Sequence, residues 1–509
     1  MYNALLTLYY WALPFVYDII LNMFSLNKNQ KDIILRIIIL IYSLVLVYLN
    51  VIRIFDNTFW GDECFSINCV NNTFAAMIDT TAKDVHPPLY YIFLYAMINV
   101  FGNHDWVYHL TSVIPFILCV IFANTIIIKR FGYGACVLFL TLAGLSVNAI
   151  FFNVEVRMYS LGFMFVLFSY YGLYKILHGE KYGEIIFFIN SLAAAYTHYY
   201  ALVTVAFFYL ALLIQTIRKK YEIKKLLILY AATIVSYLPW LFILLESFSR
   251  VSGGYWIQKI YSLSHYFRYF FNSKEKIYPA AMSICYVLII FYLINDELKI
   301  FYYHIKPKKI SGELDIDTIF VLWGAAAGIG TILVGQIVSL IYLPMFIERY
   351  LHPATSAIWL SLCVGMARLK KKKFLPYALI LISLVAFVPQ YQKTYIADKT
   401  LNELNTKTHN ILLENIKKGD VIYVNGVKLG WTILKYYMPG VTCIEVRNGF
   451  SGDFNTESSN INYFFLRDKG TDDGDLSSFS LDNHNAKKLG DGFLGDAYIT
   501  IYKLVHPKY

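Results

Sequence analysis

Two adjacent carboxylates stand in the run Phe59-Trp60-Gly61-Asp62-Glu63, just after a long apolar stretch. A carboxylate within hydrogen-bond reach of a hydroxyl or amine can take its proton as that group attacks an electrophile. The plain alternative is a solvated turn. The same loop closes on Asp84-Val85-His86-Pro87-Pro88-Leu89-Tyr90-Tyr91. The two prolines lack backbone donors and fix the direction of the chain, which holds His86 where the sequence turns apolar again. There it serves either as an interfacial histidine or as a donor to a lipid-linked phosphate. Glu155 and Arg157 sit two apart in Asn153-Val154-Glu155-Val156-Arg157-Met158-Tyr159. A mutual ion pair is the simple reading, although residues two apart do not face each other on a helix. Glu348-Arg349-Tyr350-Leu351-His352-Pro353 opens another apolar run in the same way. Arg349 can lay its stem along apolar surface with its head in water, or clamp a phosphate, for which guanidinium is suited. His198, in Tyr196-Thr197-His198-Tyr199-Tyr200, stands alone among aromatics, as structural histidines do. Asp84, Tyr159 and Trp256 complete the set of candidate substrate contacts.

The elements that must position these residues are membrane helices. Of 509 residues, 58% are hydrophobic and 15% charged, against about 25% charged in soluble proteins. Apolar runs long enough to cross a bilayer predict spans at 33–52, 106–128, 132–152, 158–177, 182–197, 199–217, 226–245, 277–295, 317–343, 353–367 and 374–390. A single long helix over 185–217 competes with the pair that meets at Thr197-His198. Ala4 to Phe24 has no basic residue before it, unlike a cleavable signal peptide, and reads as an extra span or an interfacial helix. The segment 87–101 is short and begins with two prolines. If it does not cross, the basic clusters Lys129-Arg130, Lys175 with Lys181, Arg218 to Lys225, Lys299 to Lys309 and Arg368 to Lys373 all fall on one side. The positive-inside rule makes that side the cytoplasm. Every candidate residue named above then lies on the opposite side, although none was used to orient the chain.

From about residue 391 the composition shifts to Asp, Asn, Lys and Gly. Strand-like stretches at Val421–Val424, Cys443–Val446, Tyr463–Leu466 and Tyr498–Leu504, with a helical stretch at Gly430–Met438, predict a small α/β domain. The expected division is a transmembrane domain over 1–390, with its first outer loop at 53–105, and a soluble extracytoplasmic domain over 391–509. Four of the seven cysteines fall in apolar runs, where Cys acts as a small hydrophobe. Cys64 and Cys69 share a loop and are close enough in sequence to pair. The net charge of +10 sits between apolar runs, which is the pattern of a membrane protein and excludes a nucleic-acid binder. There is no nucleotide-binding glycine loop, Walker motif or zinc-ligand spacing. A group-transfer enzyme of this kind must receive its energy in its substrate.

The ordered motifs Gly61-Asp62-Glu63, His86-Pro87-Pro88-Leu89-Tyr90-Tyr91, Glu155-x-Arg157-x-Tyr159, Thr197-His198-Tyr199 and Arg349-Tyr350-x-x-Pro353 resemble those of family 39-like glycosyltransferases of the GT-C fold. These are relatives of protein O-mannosyltransferases and of the lipid A aminoarabinose transferase. The resemblance covers about residues 33–370. It implies an α-helical polytopic membrane protein of about 11–13 transmembrane helices. It also implies transfer of a sugar, with inversion, from a polyprenyl-phosphate donor at the extracytoplasmic face of the plasma (inner) membrane. Asp62 with Glu63 beside it would be the base and Glu155 the second carboxylate. His86, Arg157, Arg349 and Tyr350 would lie near the donor phosphate. Some relatives carry lysine where His86 stands, and a histidine is only partly charged at neutral pH. No cofactor is implied beyond a divalent metal that some GT-C enzymes use; Asp62 and Glu155 could ligate one or work without it. The acceptor, whether glycan, lipid or protein, is open. A polysaccharide polymerase or ligase using lipid-linked sugars, and a lipid-linked sugar flippase or transporter, are the rival readings.

Overall fold

The computed structural model describes residues 27–55, 58–251, 257, 259–273, 277–298, 314–369, 375–424, 432–445, 462–468 and 486–504. Residues 4–24 and Trp256 lie outside the described residues. Among the described residues, eight helices are long and apolar enough to cross a membrane, and three further apolar helices are shorter. The protein is a multi-pass membrane protein.

The chain enters through α1 (Lys28–Val51), started by a capping box in which Asn27 and Gln30 exchange side-chain bonds with each other's backbone N–H. Two short helices follow, α2 (Gly61–Val70) and α3 (Phe74–Lys83). Pro88 then opens α4 (Leu89–Phe101), apolar but, at 13 residues, short for a simple span. Next, α5 (Asp105–Phe122) runs on through a π-turn as one apolar unit to Phe131. The predicted span 132–152 is not continuous. It divides into α6 (Tyr133–Leu145) and α7 (Val147–Phe152) at Ser146, whose backbone is extended and whose hydroxyl caps the second piece through Ala149 N–H.

The chain continues through α8 (Tyr159–Leu177), α9 (Gly183–Thr197) and α10 (Tyr199–Ile217). The single-helix alternative for 185–217 fails at His198, whose backbone is extended and whose Nδ1 accepts the Tyr200 N–H at 3.1 Å. Beyond are α11 (Ile223–Val251), α12 (Leu263–Tyr269), α13 (Ile277–Leu298) and α14 (Ile316–Ile341). A 3₁₀ turn at Glu348–Leu351 leads into α15 (His352–Arg368), buried along nearly its whole length. Small residues let the helices approach, as membrane bundles require. A Cβ on Gly172 would lie 2.6 Å from the Phe187 backbone of α9, and one on Gly330 would strike the Phe207 ring of α10.

The composition change near 391 falls inside a helix. α16 (Leu375–Asn415) runs 41 residues without a break, past Pro389. Its first half is apolar, and its second half underlies a five-stranded sheet. The strands are β1 (Val421–Val424), β2 (Thr442–Glu445), β3 (Tyr463–Asp468), β4 (Ala486–Leu494) and β5 (Ala497–Leu504). Their order is β2-β1-β3-β5-β4, parallel across β2-β1-β3 and antiparallel across β3-β5-β4. One short helix, α17 (Leu434–Tyr437), precedes β2. All seven cysteines are free, Cys64 and Cys69 included.

A buried ion pair fastens α16 to the bundle. Arg53, 1% exposed, donates from Nη2 and Nε to Asp398 at 2.7 and 3.1 Å, and from Nη1 to the Ile150 carbonyl. Tyr391 adds a bond to the Leu49 carbonyl at 2.6 Å. Removing one partner of such a pair strands the other. Asp398→Ala, which leaves the enclosed guanidinium, should cost about 3 kcal/mol. Arg53→Met should cost less, because the remaining carboxylate is one-fifth exposed and can be hydrated. Thermal unfolding of both variants in detergent checks the order.

Candidate active site

α2 begins without a side-chain cap from its own N-cap residue, Trp60. Glu63 reaches back instead, its Oε2 accepting the Trp60 N–H at 3.1 Å. Its Oε1 accepts the Val156 N–H at 2.7 Å. One carboxylate therefore joins the first acidic loop to the loop between α7 and α8. Trp60 answers across the same gap, its indole N–H donating to Glu155 Oε1 at 3.0 Å. Arg157 Nη1 donates to the Asp62 carbonyl at 3.2 Å and to the Ser66 hydroxyl at 3.0 Å. Ser112 on α5 holds the Glu155 and Arg157 carbonyls. The Glu155 and Arg157 side chains thus reach the start of α2, while between themselves the two residues share a backbone bond, Arg157 N–H to the Glu155 carbonyl at 2.8 Å.

Glu63, Glu155 and Arg157 are 1%, 2% and 3% exposed. Burial pushes the Glu155 carboxyl up to about 8, with Arg157 and Arg349 holding it back. Glu63 is also raised, by burial first and the Glu155 charge second. Asp62 is different: it is 30% exposed along its side chain, and its carboxylate meets Arg349 Nη2 at 3.2 Å. The Arg349 guanidinium also lies 5.4 Å from the Trp60 ring and 5.9 Å from that of Tyr350, within cation–π range.

A second set adjoins the first. Asp84 Oδ2 accepts His86 Nδ1 at 2.9 Å, and the His86 ring lies 6.0 Å from that of His198. His198 lies 5.8 Å from Tyr159 and 5.1 Å from Tyr350. With Nδ1 accepting the Tyr200 N–H, the neutral ring of His198 carries its proton on Nε2. Burial pulls both imidazoles below their ordinary value, against the raising effect of Asp84 at His86. His86, His198 and Tyr350 form the polar end of a cleft of about 900 Å³, counting space open to solvent. The rest of its wall is mostly apolar, with Leu202 and Val203 from α10, Leu244 from α11, Val334 and Val338 from α14, and Met345, alongside Tyr199, Tyr200 and Ser247.

Of the residues singled out in the sequence, Asp62, Glu63, Asp84, His86, Glu155, Arg157, Tyr159, His198, Arg349 and Tyr350 are brought together. Several participants went unread. Trp60, the N-cap of α2, and Ser66 within it stand beside the acids, and a tryptophan next to a carboxylate pair is the available signal. Among the described residues, the Tyr91, Tyr159 and Tyr269 hydroxyls are buried without a hydrogen-bond partner, as are Glu155 Oε2 and Arg157 Nε. Nothing in the sequence distinguishes Tyr269 among 44 tyrosines. Unpaired polar atoms at this depth are costly unless a ligand or water meets them. Among the described residues, no three His, Cys, Asp or Glu side chains form a group able to hold a metal ion.

A membrane-embedded helical bundle with an acid–arginine cluster over an apolar cleft, and a small sheet domain beside it, defines the class. No protein-family model matches the sequence, and no curated protein sequence matches it. Solved structures do. The apo structure of ArnT from Cupriavidus metallidurans is similar over 92% of this chain and 97% of that one, with a TM-score of 0.55 and 9% identity. The structure of the same protein bound to undecaprenyl phosphate gives 0.52 and 10%, with the same coverage. The fold is the GT-C fold, with an added C-terminal sheet domain.

The buried carboxyls make stability depend on pH. A carboxyl raised when folded keeps its proton while the unfolded chain has lost it, so stability falls as pH rises between the two values. The histidines, lowered when folded, act below about pH 7, where the unfolded chain takes up their protons. Between pH 7 and 8 the Glu155 effect therefore stands out. The melting temperature should fall across that interval in the wild type and fall less in Glu155→Gln, by thermal unfolding in detergent.

Proposed function

We propose that the protein is a membrane glycosyltransferase. It takes a sugar from a polyprenyl-phosphate carrier and passes it, with inversion, to an acceptor at the extracytoplasmic face. The observation that carries this reading is the cleft. Most of its wall is apolar, from α10, α11 and α14, and it also carries His86, His198 and Tyr350 next to Arg349 and Asp62. That combination suits an amphiphile with a long hydrocarbon tail and an anionic head. It agrees with the fold shared with ArnT, which is known in complex with undecaprenyl phosphate.

The chemistry follows from the polar end. The carrier phosphate takes up Arg349, with Arg157 and His86 close by, and these groups stabilise the charge that develops as the phosphate leaves. His86 meets the phosphate through Nε2, since Nδ1 is engaged by Asp84. A bound anion raises the imidazole pKa, so His86 gains a proton on donor binding and becomes a donor. The phosphate also competes with Asp62 for Arg349. Binding of the donor thereby loosens the ion pair that occupies Asp62, and the freed carboxylate takes the proton of the acceptor hydroxyl or amine as it attacks the anomeric carbon. Glu155, its carboxyl raised by burial, is the second carboxyl of the site and presents Oε2 to the sugar or acceptor. The site and the sheet domain lie outside the cytoplasm on the charge distribution of the loops.

Purified protein in detergent, supplied with radiolabelled polyprenyl-phosphate hexoses, should consume one of them by hydrolysis or by transfer to a membrane extract. Asp62→Asn and Glu155→Gln should each lower turnover at least about 100-fold at normal expression. Arg349→Ala should lower kcat/KM for the donor by a similar factor of about 100. Undiminished turnover in Asp62→Asn removes the base. Tight binding of a lipid-linked sugar with no turnover in the wild type points to a flippase.

A further inference from the structure

The first turn of α2 is gripped from the C-terminal domain. Gly61 N–H, the first orphan donor of the helix, is met by Asp496 Oδ1 at 3.0 Å, 435 residues along the chain. Asp496 lies in the tight turn between β4 and β5. Its neighbour Gly495 has a positive φ of 61° and sits so close that a Cβ would lie 2.9 Å from the Phe59 carbonyl oxygen. That carbonyl also accepts the Tyr437 hydroxyl at 3.3 Å. The Tyr436 ring packs edge-on to Phe59 at 5.3 Å, and its hydroxyl donates to Asp105 at 2.8 Å. Further along α2, Asn68 Nδ2 donates to the Thr432 carbonyl at 2.9 Å. Every one of these contacts falls on residues 59–68 or on the neighbouring start of α5.

The other side of the same segment faces the site. Trp60 bonds Glu155, Glu63 bonds Val156, the Asp62 carbonyl accepts from Arg157, and the Asp62 carboxylate meets Arg349. The acidic turn is therefore clamped between the bundle and the sheet domain. A small axial or rotational shift of α2 would carry Asp62 away from Arg349 and from an acceptor.

We propose that the Gly495-Asp496 turn is a positioning element of the site and that Asp496 is a positioning residue, setting the Asp62 carboxylate through the first turn of α2. The inference rests on the transferase reading. It gives the C-terminal domain a part in the reaction that no feature of its own surface requires. The turn touches backbone at Phe59 and Gly61 rather than any atom of a substrate. Its effect therefore falls on the chemical step and not on donor affinity.

The test uses the full-length protein in detergent. Asp496→Ala should lower kcat about tenfold with the donor KM changed less than about twofold. Asp496→Asn, which keeps an acceptor oxygen for Gly61 N–H, should restore most of the loss. Gly495→Ala, which pushes the turn off Phe59 while keeping Asp496, should behave like Asp496→Ala. Hydrogen exchange is read alongside, and amides at 60–64 should lose protection in Asp496→Ala while those of α8 and α15 keep it. An unchanged kcat in Asp496→Ala, an Asn variant no better than the Ala variant, or a rise in KM with kcat intact would each overturn the proposal. If wild type turns over no donor, the transferase reading fails. The exchange experiment then still decides whether the turn holds α2, and unaltered protection at 60–64 overturns that as well.

Discussion

Charge taken out of water at a membrane boundary must be answered by other charges and by hydrogen bonds, and the arrangement around Glu63, Glu155 and Arg157 is organised by that requirement. Glu63 could have been satisfied within α2. It spends one oxygen there and the other on the Val156 N–H, so its desolvation is offset only when the two loops meet. Arg157 has the same property in reverse, bonding the Asp62 carbonyl and the Ser66 hydroxyl of α2. Neither loop carries a complete set of partners by itself. Their separate burial would leave unpaired groups, so the two loops form together or not at all. Asp62 is left outside this lock, its side chain 30% exposed and its carboxylate opposed by Arg349.

The bundle supplies the rigid surroundings that such a lock needs. Glycines on α8 and α14 bring neighbouring helices too close for any side chain, as at Gly172 against Phe187 and Gly324 against Tyr170 and Ser361. α15 is buried almost throughout and begins directly after the turn that carries Arg349 and Tyr350. The position of Arg349 is therefore set by the central helix of the bundle. The breaks at Ser146 and His198 each end a helix and turn a polar group toward neighbouring backbone, and His198 does so beside His86, Tyr159 and Tyr350.

Much of this was legible in the residues. Hydropathy marks the apolar runs because the bilayer demands them, and the charged motifs stand out because they interrupt those runs. Breaks inside an apolar run are less visible. Ser146 lies in a stretch whose hydropathy continues past it, so only its hydroxyl signals a cap. The change at 391 was read as a boundary because polarity changed there. α16 instead passes out of the apolar region as one helix, its propensity unaffected by the change in surroundings. β4, with the sequence Ala-Lys-Lys-Leu-Gly-Asp-Gly-Phe-Leu, was missed because Gly, Asp and Lys are poor strand formers. It is an edge strand, held by β5 alone and backed by Thr408 and Ile411 of α16, where glycine is the residue that fits. Tyr269 and Asp496 could not be read at all, since long-range contact alone gives them their places.

The cleft and the acidic cluster impose opposite solvent requirements, and their adjacency is what a lipid-linked substrate would exploit. A hydrocarbon tail would be stabilised along Leu202, Val203, Leu244, Val334 and Val338, where its burial needs no polar partner. An anionic head gains most where few waters compete, beside guanidinium and imidazole groups already held in place. Tail binding in the proposed enzyme therefore delivers the head to a site where Arg349 is already balanced by Asp62 and the His86 ring is already held by Asp84. Phosphate taking the place of Asp62 at Arg349 would exchange one anion for another, while Asp84 stays on His86 Nδ1. The same exchange would leave the Asp62 carboxylate without its partner and open to the proton of an acceptor.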